Sequence, residues 1–331
     1  MKKGLLVFFA ILLIAALLAS CAPMSESLVV ADTDVAPVAD ATSQPEVIET
    51  FTVYAPVSTS SIPVIIAVQQ LSGVNLVLYT DQSQANAQFI RGEAEILVSG
   101  LSVGVDMYRN GVPVQVANSF VSGLSYLVTY GETYESLQEL TGKSVYVPFE
   151  GSPIDQVMQY LVTANGLEWK TDVTPVYAPF ESSIALLKEG KLDAVVLPEP
   201  SVSLVSDVPN VYVSLDLAGE WDEATGVVGG YPQVASFVSS EWSSAHVDTI
   251  NAFNQALQTA ILQVEADPSA AVDQVKEYFK IPAEKLTNSL SRTRYSYVAG
   301  EEMQSDIELY YAVIGVALDE SFKGFYFIAA H

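Results

Sequence analysis

One arrangement occurs twice in the chain and limits what it can fold into. Ile90-Arg91-Gly92-Glu93-Ala94-Glu95-Ile96-Leu97-Val98-Ser99-Gly100 is matched, about a hundred positions later, by Leu187-Lys188-Glu189-Gly190-Lys191-Leu192-Asp193-Ala194-Val195-Val196-Leu197-Pro198-Glu199-Pro200. In each, a helical pattern stops at glycine, the residue type that most readily takes the left-handed conformation ending a helix. An acidic residue follows, and then an unbroken apolar run of the kind expected of a parallel strand covered on both faces. The first strand delivers Ser99 and Gly100 to its carboxyl end and the second delivers Glu199, held between two prolines that cannot extend the strand. Ligands of open α/β sheets bind at such ends. Two units of this kind predict two similar α/β halves facing one another.

The rest of the chain alternates around those strands. Phe51–Ala55 reads as a strand, Ser58–Ser61 with Pro63 as a capped helix start, and Val64–Leu71 as a helix apolar at nearly every position. Asn75–Tyr79 is a second strand, Asp81 caps a helix over 82–91, Ile96–Val98 is the third strand, 102–110 a short helix and Pro113–Ala117 a fourth strand. This alternation predicts a parallel sheet with right-handed crossovers. Phe120–Tyr130 is the expected passage between halves. A second alternation places strands at 144–147, 173–177, 194–197 and 211–213, with helices opening at Ser152-Pro153 and running over 181–189. Gly229–Val238 is the expected return. From Glu241 the pattern is helical, with Pro268 and Pro282 opening new helices, an interruption at 295–300 and a last helix over 301–319. The expected lobes are 51–121 with 232–331, and 122–231.

The beginning of the chain reads as an export segment. Lys2 and Lys3 precede an apolar run from Leu5 to Ala19, too short for a typical membrane span. The run ends in Leu18-Ala19-Ser20-Cys21, which resembles the lipobox of bacterial lipoproteins. The resemblance implies a signal peptide over 1–20, acylation of Cys21 and a lipid anchor in the cell membrane, with the protein facing the periplasm or the cell exterior. Cys21 is the only cysteine, which excludes intramolecular disulfides and leaves no thiol for catalysis. Residues 21–50, rich in Ala, Val, Pro, Ser, Thr and Asp without an aromatic, read as a flexible tether.

Charge narrows the partners. A net charge of −25 with only 14 Lys and Arg argues against nucleic acid and against adhesion to anionic head groups. The two histidines, His246 and His331, give no His-based metal cluster or catalytic triad, and no cofactor is implied.

The order and spacing of Gly92–Ile96, Gly111-Val112-Pro113-Val114, Ser136–Val145, Gly151-Ser152 and Gly190–Ala194 with Glu199-Pro200 resemble the extracytoplasmic solute-binding proteins of ABC importers. The similar branch is the one that includes nitrate, sulfonate, taurine and thiamine-pyrimidine binders. The resemblance covers roughly residues 51–265. It implies a two-lobed, periplasmic-binding-protein-like α/β fold of type 2, each lobe a mainly parallel sheet flanked by helices, joined by two crossovers and closing on a small-molecule solute. It also implies an ABC permease as partner. The loop after the first strand departs from the family, reading Pro56–Ser61 where a Gly-rich stretch is common. A ligand-sensing lipoprotein is an alternative. An enzyme on the same fold is another, but it would need a His- or Cys-bearing site or a well-placed acid and base; Cys21 is taken by the lipid, and neither histidine falls in a strand-end cluster.

The residue types at the strand ends define a candidate site. Ser58, Thr59 and Ser60, then Ser99, Gly100 and Leu101, then Gly151 and Ser152 combine hydroxyls with free N–H groups at helix starts, which can hold an electronegative ligand atom. Each serine has an alternative role, capping its own helix. No Lys or Arg lies within these clusters, which disfavours a doubly charged anion. Tyr54, Phe149, Tyr177, Phe180 and Tyr231 are placed to stack on a planar heterocycle or sugar-like face, or else to fill the core between lobes. Glu199 is offered to accept from an amine or hydroxyl, and Gln233 in the return crossover completes the set.

Overall fold

The computed structural model describes residues 50–329. The expected signal peptide, Cys21, all of the tether but Thr50, and His331 lie outside the described residues.

The first lobe opens with β1 (Phe51–Pro56), α1 (Ser61–Gln70), β2 (Val74–Tyr79), α2 (Gln82–Ile90), β3 (Ile96–Gly100), α3 (Leu101–Arg109) and β4 (Val114–Gly123). The second contains β5 (Ser125–Tyr130), β6 (Ser144–Val147), α4 (Pro153–Ala164), β7 (Thr174–Tyr177), α5 (Phe180–Lys188), β8 (Ala194–Pro198), α6 (Ser201–Val205), β9 (Val211–Asp216) and α7 (Leu217–Thr225). The chain then returns through β10 (Val234–Ser239), α8 (Ser240–Ala245), α9 (Val247–Ala266), α10 (Pro268–Val275), α11 (Ala283–Leu290), β11 (Arg294–Val298) and α12 (Gly300–Val313).

Local chemistry explains these limits. Asp81 caps α2 by accepting from the N–H of Gln84 at 3.0 Å, and Gly92 and Gly190 stop α2 and α5 at φ +73° and +64°. α1 is buried at every position from Ser61 to Val68 because it packs between the sheet and α9. Its Ile62, Ile65 and Ile66 are essentially inaccessible, and burying side chains of this size stabilises the fold by about 1.5–3 kcal/mol each.

The sheets are mixed, which corrects the simple parallel alternation expected at β4. The six-stranded sheet has the order β11-β4-β10-β3-β1-β2 and the five-stranded sheet the order β7-β6-β8-β5-β9. β1 runs parallel to β2 and β3, but β10 lies antiparallel between β3 and β4. In the second sheet β5 takes the same place, antiparallel between β8 and β9. The physical reason is the same in both. A strand arriving from the other lobe enters from the opposite end and fills the gap beside the third parallel strand. The stretch 295–300, read only as an interruption, supplies β11 on the outer edge, antiparallel to β4.

The two passages between sheets are hydrogen-bonded to one another. The N–H of Tyr231 donates to the carbonyl of Ser122 (3.0 Å) and that of Gln233 to Val121 (2.8 Å). The Gln233 side chain accepts from the N–H of Leu124 (3.2 Å) and donates to Oγ of Ser125 (2.7 Å). One residue thus fastens both strands of the passage.

Candidate functional site

Six strand–helix junctions converge on a cavity of about 170 Å³ between the lobes. The first lobe contributes Pro56, Ser58 and Ser60 from the β1–α1 loop, Tyr79 and Gln82 from β2–α2, and Ser99, Gly100 and Val103 from β3–α3. The second contributes Pro148, Phe149, Ser152, Pro153 and Ile154 around the start of α4, with Phe180 and Pro198 from β7–α5 and β8–α6. Leu124, Gln233 and Val234 close it along the two passages. The lining contains no Asp, Glu, Lys, Arg or His.

The hydroxyls differ in how they are used. Ser152 caps α4, accepting from the N–H of Asp155 at 3.1 Å. Ser60 stands at the start of α1 without capping it; its hydroxyl lies 2.8 Å from that of Ser58, and its N–H donates to Oγ of Ser58 at 3.2 Å. Ser99 donates to Oε1 of Gln82 at 3.2 Å. The Tyr79 hydroxyl donates to the carbonyl of Val98 at 2.8 Å and lies 3.1 Å from the same Gln82 oxygen. Burial holds that phenol well above its usual range, so it stays protonated. Behind the start of α4, the carboxylate of Asp155 accepts from the N–H of Gly151 (2.8 Å) and the hydroxyl of Tyr177 (3.1 Å). Burial raises the Asp155 pKa, opposed by those two donors. A carboxylate already seated at this helix start offsets the positive end of the helix and works against a strongly anionic ligand.

Gly100 sets how closely the lobes meet. A methyl group built on it would fall 2.8 Å from Cγ of Pro153 across the cleft. The first turns of α3 and α4 are therefore in contact, and a side chain at position 100 has no room.

Of the residues singled out from sequence, Ser58, Ser60, Ser99, Gly100, Ser152 and Gln233 are brought together on the cavity wall, with Phe149 and Phe180. The others are placed elsewhere. Tyr54 and Leu101 are buried in the core. Thr59 is buried with its hydroxyl 2.9 Å from that of Thr293, while its carbonyl accepts from the hydroxyl of Tyr295. Gly151 and Tyr177 serve Asp155. Tyr231 lies on the far flank, stacked on Tyr310 with ring centroids 6.1 Å apart.

Glu199 is fully inaccessible and is not among the residues that line the cavity. Its carboxylate accepts from the N–H of Ser203 (3.0 Å) and from its hydroxyl (2.9 Å), with Nη1 of Arg292 3.5 Å away. Burial raises its pKa, opposed by Ser203 and Arg292. The prolines do end β8 as expected, but the turn feeds α6, whose Ser203 holds the carboxylate with its N–H and hydroxyl. Tyr79 and Gln82 were not anticipated, although the β2–α2 junction has the strand-then-cap pattern that marked the other junctions.

The sequence pattern of the NMT1-like family matches residues 99–276, more than half of the chain. The chain belongs to the NMT1-like family. The fold of this NMT1-like chain is that of periplasmic ligand-binding proteins. It is similar to the ligand-binding component of an ABC-type import system from Staphylococcus aureus, solved with zinc bound (TM-score 0.69, 13% identity, covering 85% of this chain and 97% of that one). It is also similar to the periplasmic aliphatic sulphonate binding protein of Escherichia coli (TM-score 0.69, 13% identity, covering 85% and 93%). A third is the alkanesulfonate-binding protein of Xanthomonas axonopodis pv. citri bound to MOPS (TM-score 0.65, 14% identity, covering 81% and 94%). No curated protein matches the sequence. Among the described residues of this NMT1-like chain, no group of three or more His, Cys, Asp or Glu is placed to hold a metal ion, and no helix is long and apolar enough to cross a membrane.

Proposed function

We propose that this chain is the extracytoplasmic solute-binding protein of an ABC importer, anchored through a lipid on Cys21, that captures a small organic solute between its lobes and delivers it to a permease. The observation that carries this reading is the cavity lined from both lobes, at the carboxyl ends of their strands, by hydroxyls, amides and apolar side chains without one charge. A solute seated there touches 51–121 with 232–331 on one side and 122–231 on the other, so it favours the closed arrangement of the two bodies.

The walls also define the solute. Phe149 and Phe180 offer aromatic faces, and Ser58, Ser60, Ser99 and Gln82 offer hydroxyls and an amide at the opposite wall. That combination suits a compact, weakly charged molecule such as a planar heterocycle. Calorimetry against pyrimidines, vitamins and sulfonates tests both parts. We expect a neutral heterocycle to bind, and Phe149→Ala to weaken it several-fold, about 1 kcal/mol of lost stacking, without lowering the melting point, because this residue is 46% exposed. Failure of every solute to bind would sink the transport reading. Preferential binding of a sulfonate, held by the starts of α1, α3 and α4 alone, would overturn the choice of solute.

A further inference from the structure

A second cavity, of about 150 Å³, lies on the β4–β11 flank, whereas the cleft cavity lies toward β1–β3. Trp221 of α7 and the loop Val227–Pro232 form one side, and β4, β11 and α12 form the other, so its walls too come from both lobes. Trp221 and Tyr310 pack against one another in its wall, with ring centroids 5.3 Å apart.

Three features distinguish it from a packing gap. Its volume matches the cavity size that accommodates a benzene ring. Its rim is held by specific bonds: the N–H of Gly230 donates to Asp222 at 2.7 Å, and a Cβ on Gly230 would lie 2.0 Å from the carbonyl of Ser122, so only glycine lets the loop approach. Finally, Asp306 is the single charged residue in its lining, on the same helical face as Leu309, Tyr310 and Val313. No cation faces that carboxylate from the cavity wall, and Glu302, one turn earlier, adds to the local negative field. Val228, 90% exposed at the rim, offers an apolar lip.

We propose that this cavity is a second ligand site, taking a compact organic amine whose apolar body lies against Trp221, Tyr310 and Val298 and whose ammonium pairs with Asp306. The site is independent of the solute in the cleft. The test is titration of isotope-labelled protein with benzylamine, toluene and phenylacetate, followed by amide chemical shifts. Benzylamine should saturate shifts in 227–232 and α12 and bind several-fold tighter than phenylacetate, because the exposed Asp306 carboxylate attracts an ammonium and repels a carboxylate. Asp306→Asn should remove that preference, and Ser296→Trp, on the exposed rim of an edge strand, should abolish the shifts without lowering the melting point. Absence of saturable shifts there, or shifts confined to Phe149 and Phe180, would overturn the site. Equal affinity for toluene and benzylamine, or a preference that survives Asp306→Asn, would overturn the amine.

Discussion

The lobes meet at the cleft cavity and again along residues 285–294, and the two contacts use different chemistry. At the cleft, Gly100 lies against the ring of Pro153 among hydroxyls and apolar walls, with no charge in the lining. Along 285–294, Lys285 pairs with Asp207, Arg292 lies 3.5 Å from Glu199, and Arg294 bonds Asp216 at 2.7 Å and Asp222 at 2.9 Å. The hydroxyl of Tyr126 adds a bond to the carbonyl of Arg292 at 3.0 Å. In a chain with only 14 Lys and Arg, three stand within this short segment, and every acid they meet lies between Glu199 and Asp222, on the strands and helices of the second sheet or in the turns that join them. Separating partly buried ion pairs leaves charges uncompensated, whereas separating neutral walls exposes only hydroxyls and carbon to water. In the proposed cycle the uncharged contact is the one that opens, and the charged belt is the one that stays joined.

The largest test of that contrast is Glu199→Ala. The carboxylate satisfies the N–H and hydroxyl of Ser203 and faces Arg292 from a fully inaccessible position. Removing it should destabilise the empty protein by about 2–3 kcal/mol, since a buried N–H and a partly buried guanidinium lose their partner. Affinity for a cleft solute should stay within about twofold, because the carboxylate does not reach the cavity. Thermal unfolding and calorimetry on the one variant decide it: an unchanged melting point with lost affinity would place Glu199 in the cleft after all.

Gly100→Ala probes the other contact and should give a smaller, opposite pattern. The backbone there, φ −60° and ψ 140°, suits alanine, so the empty protein should keep its melting point. The added methyl would break the contact with Pro153 that the structure holds, and in the proposed cycle the empty protein relieves it by opening at the cleft. Affinity for a cleft solute should fall by about tenfold, roughly 1.4 kcal/mol, and small-angle scattering should show a wider particle in the presence of solute. Wild-type affinity in this variant would mean that the two helix starts do not need to touch for binding.

These contacts also mark what the sequence reveals. Gly92 and Gly190, the cap at Asp81 and the proline start of α4 are local signals, and each element they mark is present. The passages at 120–130 and 229–238 were legible from the break in alternation. The insertion of β10 and β5 as antiparallel strands was not, because strand order depends on which edge is free when the chain arrives. Glu199 was legible as a residue at a strand end, but its direction is set by α6 and by Arg292, 93 positions away. The 285–294 belt was invisible for the same reason: nothing around Arg292 or Arg294 in sequence names Glu199, Asp216 or Asp222 as partners.

The smallest expected effect concerns pH. Burial raises the pKa of Glu199 beside the belt and of Asp155 behind the cleft, and it does the same for the half-buried Glu220. A carboxyl group whose pKa is raised by folding binds more protons in the folded state than in the unfolded chain. Its contribution to stability is complete below the ordinary carboxylate range, near pH 4, and is lost as pH rises through the elevated value. Glu93, Asp207 and Asp319 are shifted the other way by their partners, but they are exposed, and their contribution is lost only as pH falls below about 4. The melting point of the empty protein should therefore decline as pH rises above the ordinary carboxylate range, near pH 4, in the same sense as the growing self-repulsion of a chain with net charge −25. Glu199→Gln should flatten the decline, because it removes one of the raised groups, whereas the same change at exposed Glu93 should leave it intact. A melting point that rises across this window, or a slope that Glu199→Gln does not alter, would show that the carboxylate in the belt is held ionised throughout.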